Sequence, residues 1–209
     1  MSKHSIIKSA TLTIMTAAMS VFAAAPAFAF IEGEFSVGNR TGSFKSDGSS
    51  SKSLSGTSIQ LAGHLDPIPF VPVAFGLRIL NETFKPSVAD HGLKTLTSTA
   101  FVPEVEAWLP LGDLKPFARI GYTLVSAYKG SMDLGPLGSG DVAYKSTGTR
   151  LAAGINYSLL PLISFTAAFE QSNETFSVSD LKISGVDKSQ VPDVKFNSTA
   201  ITVGVKAGI

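Results

Sequence analysis

The feature that most constrains this chain is a two-residue rhythm. Bulky apolar residues alternate with small or polar ones in eight successive segments: Phe30–Gly38, Gly56–Asp66, Val71–Leu80, Thr97–Leu109, Lys115–Ser126, Thr149–Leu159, Ile163–Gln171 and Ser198–Ile209. A period of two puts successive side chains on opposite faces of a β-strand. Three short connections resemble one another: Asp66-Pro67-Ile68-Pro69, Pro110-Leu111-Gly112-Asp113 and Leu159-Leu160-Pro161-Leu162. Between them lie four longer polar stretches: 39–53, about 81–95, about 128–144 and about 172–195. Short and long connections alternate, so the eight strands read as four hairpins.

The two faces differ in kind. In Val71–Leu80, Val73, Phe75, Leu77 and Ile79 oppose Ala74, Gly76 and Arg78. In Thr97–Leu109, Phe101, Val105, Ala107 and Leu109 oppose Ser98, Ala100, Glu104 and Glu106. In Ser198–Ile209, Ile201, Val203 and Val205 oppose Thr202, Gly204 and Lys206. Alternation alone leaves open which face points outward. A soluble barrel places its apolar face inside, and a membrane barrel reverses this. Three features favour the reversal. The polar face is rich in glycine and alanine, as a narrow filled interior requires. The apolar face stays bulky along nearly the whole strand. The connections are short at one end and long at the other.

Charge and composition close off other classes. The chain has 209 residues, no cysteine, 17 Lys plus Arg and 16 Asp plus Glu. A near-neutral balance gives no basic field for nucleic acid, and the absence of cysteine excludes thiol catalysis and thiolate metal sites. Lys3 and Lys8, then the uncharged stretch Ser9–Ala25, then Ala27-Phe28-Ala29, read as a signal peptide spanning 1–29. The barrel domain is then expected over 30–209, with no membrane helix within it.

Counting residues from the short-turn end places opposite charges at similar heights. Arg78 matches Glu104, Arg119 matches Glu106, Arg150 matches Glu170, and Lys206 falls between Glu32 and Glu34 if the last strand closes on the first. These nine residues form the expected lumen charge network. His64 is expected inside near a short turn, close in height to Glu32 and serving as a structural hydrogen-bond partner. His91 lies in a polar stretch. Trp108 has inward parity at the rim. Pro103 has no amide hydrogen for the ladder, so a bulge or a missing bond is expected there. Asn81-Glu82-Thr83-Phe84 recurs as Asn173-Glu174-Thr175-Phe176.

This pattern resembles the small outer-membrane β-barrel superfamily, which includes the membrane domain of OmpA, OmpX and OmpW. The resemblance covers Phe30 to Ile209. It implies an all-β, eight-stranded antiparallel up-and-down transmembrane β-barrel in the bacterial outer membrane, reached through a cleaved signal peptide, with both termini periplasmic. Outer-membrane lipid and lipopolysaccharide are the implied surroundings. The last strand, Ile201 to Ile209, looks like the signal read by the barrel assembly machinery, although it ends in isoleucine where phenylalanine is usual. The leading expectation is a non-enzymatic barrel with a side-chain-filled lumen that supports the envelope and presents surface loops, where Lys45, Lys52, Lys182 or Lys188 are available to ligands. An OmpW-like conduit for small apolar molecules, with Leu80, Val102 and Val125 at its vestibule, is the second reading. A soluble periplasmic ligand-binding barrel is the third, and an enzyme acting on lipid the last. No catalytic residue, metal site or cofactor is expected.

Overall fold

The computed structural model describes residues 30–45, 52–66, 71–86, 92–133, 139–182 and 193–208. The signal-peptide segment 1–29, His91, Lys188 and Ile209 fall outside the described residues. The described chain forms nine strands: β1 (Phe30–Lys45), β2 (Lys52–Asp66), β3 (Val73–Pro86), β4 (Gly92–Trp108), β5 (Leu114–Thr123), β6 (Val125–Asp133), β7 (Ser139–Leu160), β8 (Ile163–Lys182) and β9 (Val194–Gly208). All neighbours are antiparallel, and β1 pairs with both β2 and β9, so the sheet closes into a barrel. Closure removes every free edge, which is what allows a sheet to stand in lipid.

Strands β5 and β6 are two halves of one stave, so the barrel has eight. Both halves pair with β4 on one side and β7 on the other. The register against β4 slips by one residue between Glu104↔Gly121 and Phe101↔Val125. The extra residue is Leu124, whose amide donates to the Phe101 carbonyl at 3.1 Å. In an antiparallel ladder every second residue points both backbone groups at the same neighbour. Phe101 points at this stave, so Pro103 does too, and it has no N–H to offer. The bulge sits opposite the missing donor. It also flips the parity of the stave, so that Thr123 and Ser126 are both buried inside.

The strands run further than the polar segments suggested. Segments 39–45, 81–86, 92–95, 128–133, 139–144, 172–182 and 194–195, expected in loops, continue the ladders. At that end the described strands leave only 46–51, 87–91, 134–138 and 183–193 between them. The reason lies in which face is apolar. Low on the wall, Phe35, Val37, Ile59, Phe75, Leu77, Ile120, Leu151, Phe165, Phe169 and Val203 are exposed on the outside. Above a ring formed by Asn39, Thr57, Asn81, Thr99, Thr149, Gln171 and Thr199, the outward residues are polar, and the bulky apolar ones turn inward. Leu54, Phe84, Leu96, Tyr128, Phe176 and Phe196 pack there into a buried cluster, with Phe44, Tyr144 and Val194 against it. The upper barrel is thus built like a soluble one and the lower barrel like a membrane one. A segment that inverts its faces midway reads as a loop when only one inside-out pattern is sought.

The apolar belt also accounts for the leucine-rich short turns. Along β4 and the residue after it, the belt spans Phe101 to Leu109. With a strand rise of about 3.4 Å and a tilt near 40°, that is a height of about 20 Å. Leu109, Leu111, Leu114, Leu159, Leu160 and Leu162 are all exposed at the turns and extend the belt toward the thickness an outer-membrane barrel presents. The β4–β5 turn is sharp enough to need Gly112, whose φ of 69° is open to glycine at no steric cost.

Candidate functional site: the ion-paired lumen

Inward positions below the aromatic cluster carry charge in two tiers. The lower tier centres on Arg78. Its Nη1 donates to Glu34 Oε1 at 2.9 Å and to Gln60 Oε1 at 2.6 Å, and its Nε donates to Glu104 Oε2 at 2.9 Å. Arg119 Nη2 bridges Glu34 Oε2 at 2.8 Å and Glu106 Oε2 at 2.6 Å. Lys206 Nζ reaches Glu106 Oε1 at 2.5 Å and Glu32 Oε2 at 3.2 Å. His64 Nε2 lies 2.7 Å from Glu104 Oε1. The imidazole lies across Gly76, where a Cβ would come within 2.3 Å of His64 Cδ2. A glycine at that point of β3 is what leaves room for the ring.

The upper tier centres on two other arginines. Arg40 Nη2 donates to Glu170 Oε2 at 2.6 Å, and its Nε lies 2.9 Å from Glu82 Oε1. Its Nη1 also reaches Ser198 Oγ at 3.0 Å. Arg150 donates to Glu82 at 3.0 and 3.2 Å and pairs with Glu174 Oε1 at 2.5 Å. Tyr128 caps this tier, its hydroxyl 3.1 Å from Glu82 and 3.3 Å from Glu174. Gln60 ties the tiers together: it accepts from Arg78 below and donates to Glu170 Oε2 at 2.9 Å above.

All nine residues of the charge network expected from sequence face this lumen. Arg78 meets Glu104, Arg119 meets Glu106, and Lys206 meets Glu32. Two details differ. Arg150 pairs with Glu82 and Glu174, and Glu170 with Arg40 and Gln60, because the stagger of the barrel carries side chains past the straight-across neighbour. Lys206 takes Glu106 as its second partner. Sequence reasoning missed Arg40, Glu82, Glu174, Gln60 and Tyr128, all assigned to loops or passed over, since the strands were ended at Gly38, Leu80 and Gln171. The four-residue repeat held the signal. Glu82 and Glu174 both clamp Arg150, and Phe84 and Phe176 both enter the aromatic cluster. Each copy therefore builds one charged and one apolar storey.

Among the described residues, a void of about 20 Å³ lies between the tiers, bordered by Arg40, Arg78, Leu80, Val102, Glu104 and Arg119. That is room for about one water. Leu80, Ala100 and Val102 form a small buried apolar patch beside it. Trp108 is half-buried at the short-turn rim. The backbones of Lys45, Lys52 and Lys182 are in strands, at the tops of β1, β2 and β8.

The comparisons with known proteins agree with this architecture. Neisserial surface protein A is 15% identical, with a TM-score of 0.54, over 87% of this chain and 97% of its own. The outer-membrane protein OprG from Pseudomonas aeruginosa is 14% identical, with a TM-score of 0.53, over 87% of this chain and 95% of its own. No curated protein matches in sequence. The profile of the family described as "Outer membrane protein beta-barrel domain" matches residues 14–207. The alternative of a soluble periplasmic barrel falls with that match and with the outward apolar belt, which only lipid can cover. The chain belongs to the outer-membrane protein β-barrel domain family, a bacterial outer-membrane barrel standing in contact with outer-membrane lipid.

Proposed function

We propose that this barrel is a non-enzymatic element of the outer membrane, which braces the envelope and presents the end of the barrel that stands above the polar ring. The observation that carries the reading is the void of about 20 Å³ between the two charged tiers. Any solute larger than a water molecule would have to break several buried ion pairs to pass, and then displace the aromatic cluster above them. Removing one partner of a buried pair costs about 3–5 kcal/mol, so spontaneous passage is rare. His64 is 1% exposed and faces the lumen, away from the bilayer, so it cannot meet a lipid substrate as a general base.

The test is conductance of the purified protein in a planar bilayer, with uptake of small apolar solutes into vesicles measured alongside. The expected result is neither steady conductance nor uptake. Steady channels, or uptake without conductance, would favour the narrow conduit and overturn the filled-lumen reading. Removal of residues 1–29 on export and recognition of Ile201–Ile209 by the barrel assembly machinery complete the proposal. N-terminal sequencing of the membrane-inserted protein is expected to begin at Phe30, and Ile209→Phe to assemble at least as fast as the parent chain.

A further inference from the structure

The outer wall is hollowed where β1 and β9 close the barrel. The ladder there pairs Val37 with Val203, Asn39 with Ile201 and Thr41 with Thr199. Ile59 on β2 and Phe169 on β8 stand to either side. Together they bound a groove of about 820 Å³ that crosses the polar ring. Its lower half is apolar, formed by Val37, Ile59, Phe169, Ile201 and Val203, and its upper half carries Asn39, Thr41, Thr57 and Thr199. A second hollow of about 340 Å³ continues upward from Thr41 and Thr199 past Ser43 and Asn197. Pockets that hold a small molecule measure about 300–1,000 Å³. Ile201 is 68% exposed, so no described side chain fills the groove.

Charge above the groove is one-sided. Lys195 stands four residues above Thr199 on β9, and Lys85 four residues above Asn81 on β3. Lys85 shares a ladder row with Ser55 and Thr41. With a rise of about 3.4 Å and a tilt near 40°, both lysines are about 10 Å above the ring. Both are exposed and without an ion-pair partner among the described residues. Glu82 and Glu174, just above the ring, point into the lumen. From the ring up to these lysines, the outer wall of β9, β1, β2 and β3 shows no carboxylate among the described residues. Asp193, just before β9, lies higher. Across the barrel, by contrast, Lys129 shares its hollow with Asp141 and Asp180.

We propose that this groove is a binding site for one molecule of a phosphorylated glycolipid of the outer leaflet, the lipid A of lipopolysaccharide. An acyl chain lies along Val37, Ile59, Phe169 and Val203. The sugars meet the hydroxyl and amide groups of Thr41, Thr199 and Asn197. The phosphates meet Lys85 and Lys195, each a point charge suited to phosphate oxygens. The vertical order of these groups selects the class of lipid. A glycerophospholipid carries its phosphate directly on the glycerol from which its chains descend, level with Thr41 and Thr199, where the groove offers hydroxyls and no cation. A phosphorylated sugar raises the phosphate by the depth of a sugar ring, toward the lysines. The site rests on the reading that the end above the ring faces out of the cell, and it does not depend on a closed lumen.

The probe is purified bis-phosphorylated lipid A, added to the folded barrel in detergent and counted by native mass spectrometry. The expected result is one lipid A per barrel, held about tenfold more tightly or better than phosphatidylglycerol or dephosphorylated lipid A. That comparison uses the parent chain and does not depend on any variant folding. Lys85→Glu combined with Lys195→Glu, and separately Val37→Trp, which fills the groove, are each expected to weaken binding about tenfold. Lys129→Glu combined with Lys145→Glu is expected to bind as the parent does. Absence of saturable one-to-one binding overturns the proposal. So does equal retention of phosphatidylglycerol, or binding lost with Lys129 and Lys145 and kept without Lys85 and Lys195. A dimer that Val37→Trp dissociates, with no lipid A retained, would give the groove to a second copy and overturn it too. Orientation is read separately, by labelling Lys129→Cys in intact cells with a membrane-impermeant maleimide, since the chain has no cysteine of its own. Labelling without lipid A binding refutes this site alone; absence of labelling refutes the presentation of this end at the surface, and the site with it.

Discussion

Arg78→Met removes the hub of the lower tier while keeping its length and much of its volume. The parent guanidinium contacts Glu34, Glu104 and Gln60, and all four of these residues are buried. After the substitution Glu34 still has Arg119 Nη2 at 2.8 Å, and Glu104 still has His64 at 2.7 Å and Arg119 Nε at 3.5 Å. Each carboxylate keeps one other partner but loses its multidentate one, so part of its buried charge goes uncompensated and the cost is that of breaking one buried pair, about 3–5 kcal/mol. That is a change of about 10²–10⁴ in the folding equilibrium. The assay is urea unfolding in phospholipid vesicles, read from the different gel mobility of folded and unfolded barrel. Glu104→Gln in the same background completes a double-mutant cycle. Arg78→Met with Glu104→Gln is expected to lose less than the sum of the two single changes, by about 1–3 kcal/mol, because each single change already breaks the same Arg78–Glu104 contact. A loss below about 1 kcal/mol for Arg78→Met, or strict additivity in the cycle, would show that the lumen is wet and the ion pairs screened.

Other outcomes follow from the same structure. Phe176→Ala, at the centre of the aromatic cluster and in ring contact with Phe44, Tyr128, Tyr144 and Phe196, is expected to cost about 3–5 kcal/mol in the same assay. It should open no conductance, since the charged tiers lie beneath it. Leu77→Arg, mid-belt and 49% exposed to lipid, is expected to cost about 2–4 kcal/mol, while Thr97→Arg, above the polar ring, costs about 1 kcal/mol or less. Equal costs would refute the placement of the ring. Pro103→Val combined with deletion of Leu124 is expected to fold with an unbroken stave, seen as slowed amide exchange at Phe101 and Val125. Failure to assemble would mean the bulge is needed for more than the proline's missing donor.

Much of this barrel was legible in the sequence because a period of two is a local property. Phe75, Leu77 and Ile79 against Gly76 and Arg78 declare two faces without reference to any neighbour. Glycine and alanine among the charges declare that the polar face is the crowded one. Residue heights above the short turns were enough to bring Arg119 to Glu106, whose strands are aligned by the turn that joins them, and Arg78 to Glu104, whose strands are ladder neighbours counted from the same end.

What only the tertiary structure decided depends on strands that do not share a turn. Arg40 on β1 meets Glu170 on β8 and Glu82 on β3, and Arg150 on β7 reaches back to Glu82. Such pairs are set by the tilt and stagger of the closed ring, which no single strand records. The extension of the strands past the polar ring was hidden for a related reason. The solvent around the barrel changes from lipid to water at that height, so the code for inside and outside inverts there, and a chain does not announce where its solvent changes. The sequence by itself determined that there are two faces and what each can tolerate; closure of the sheet decided which charges meet, and the height of the bilayer decided which face is inside.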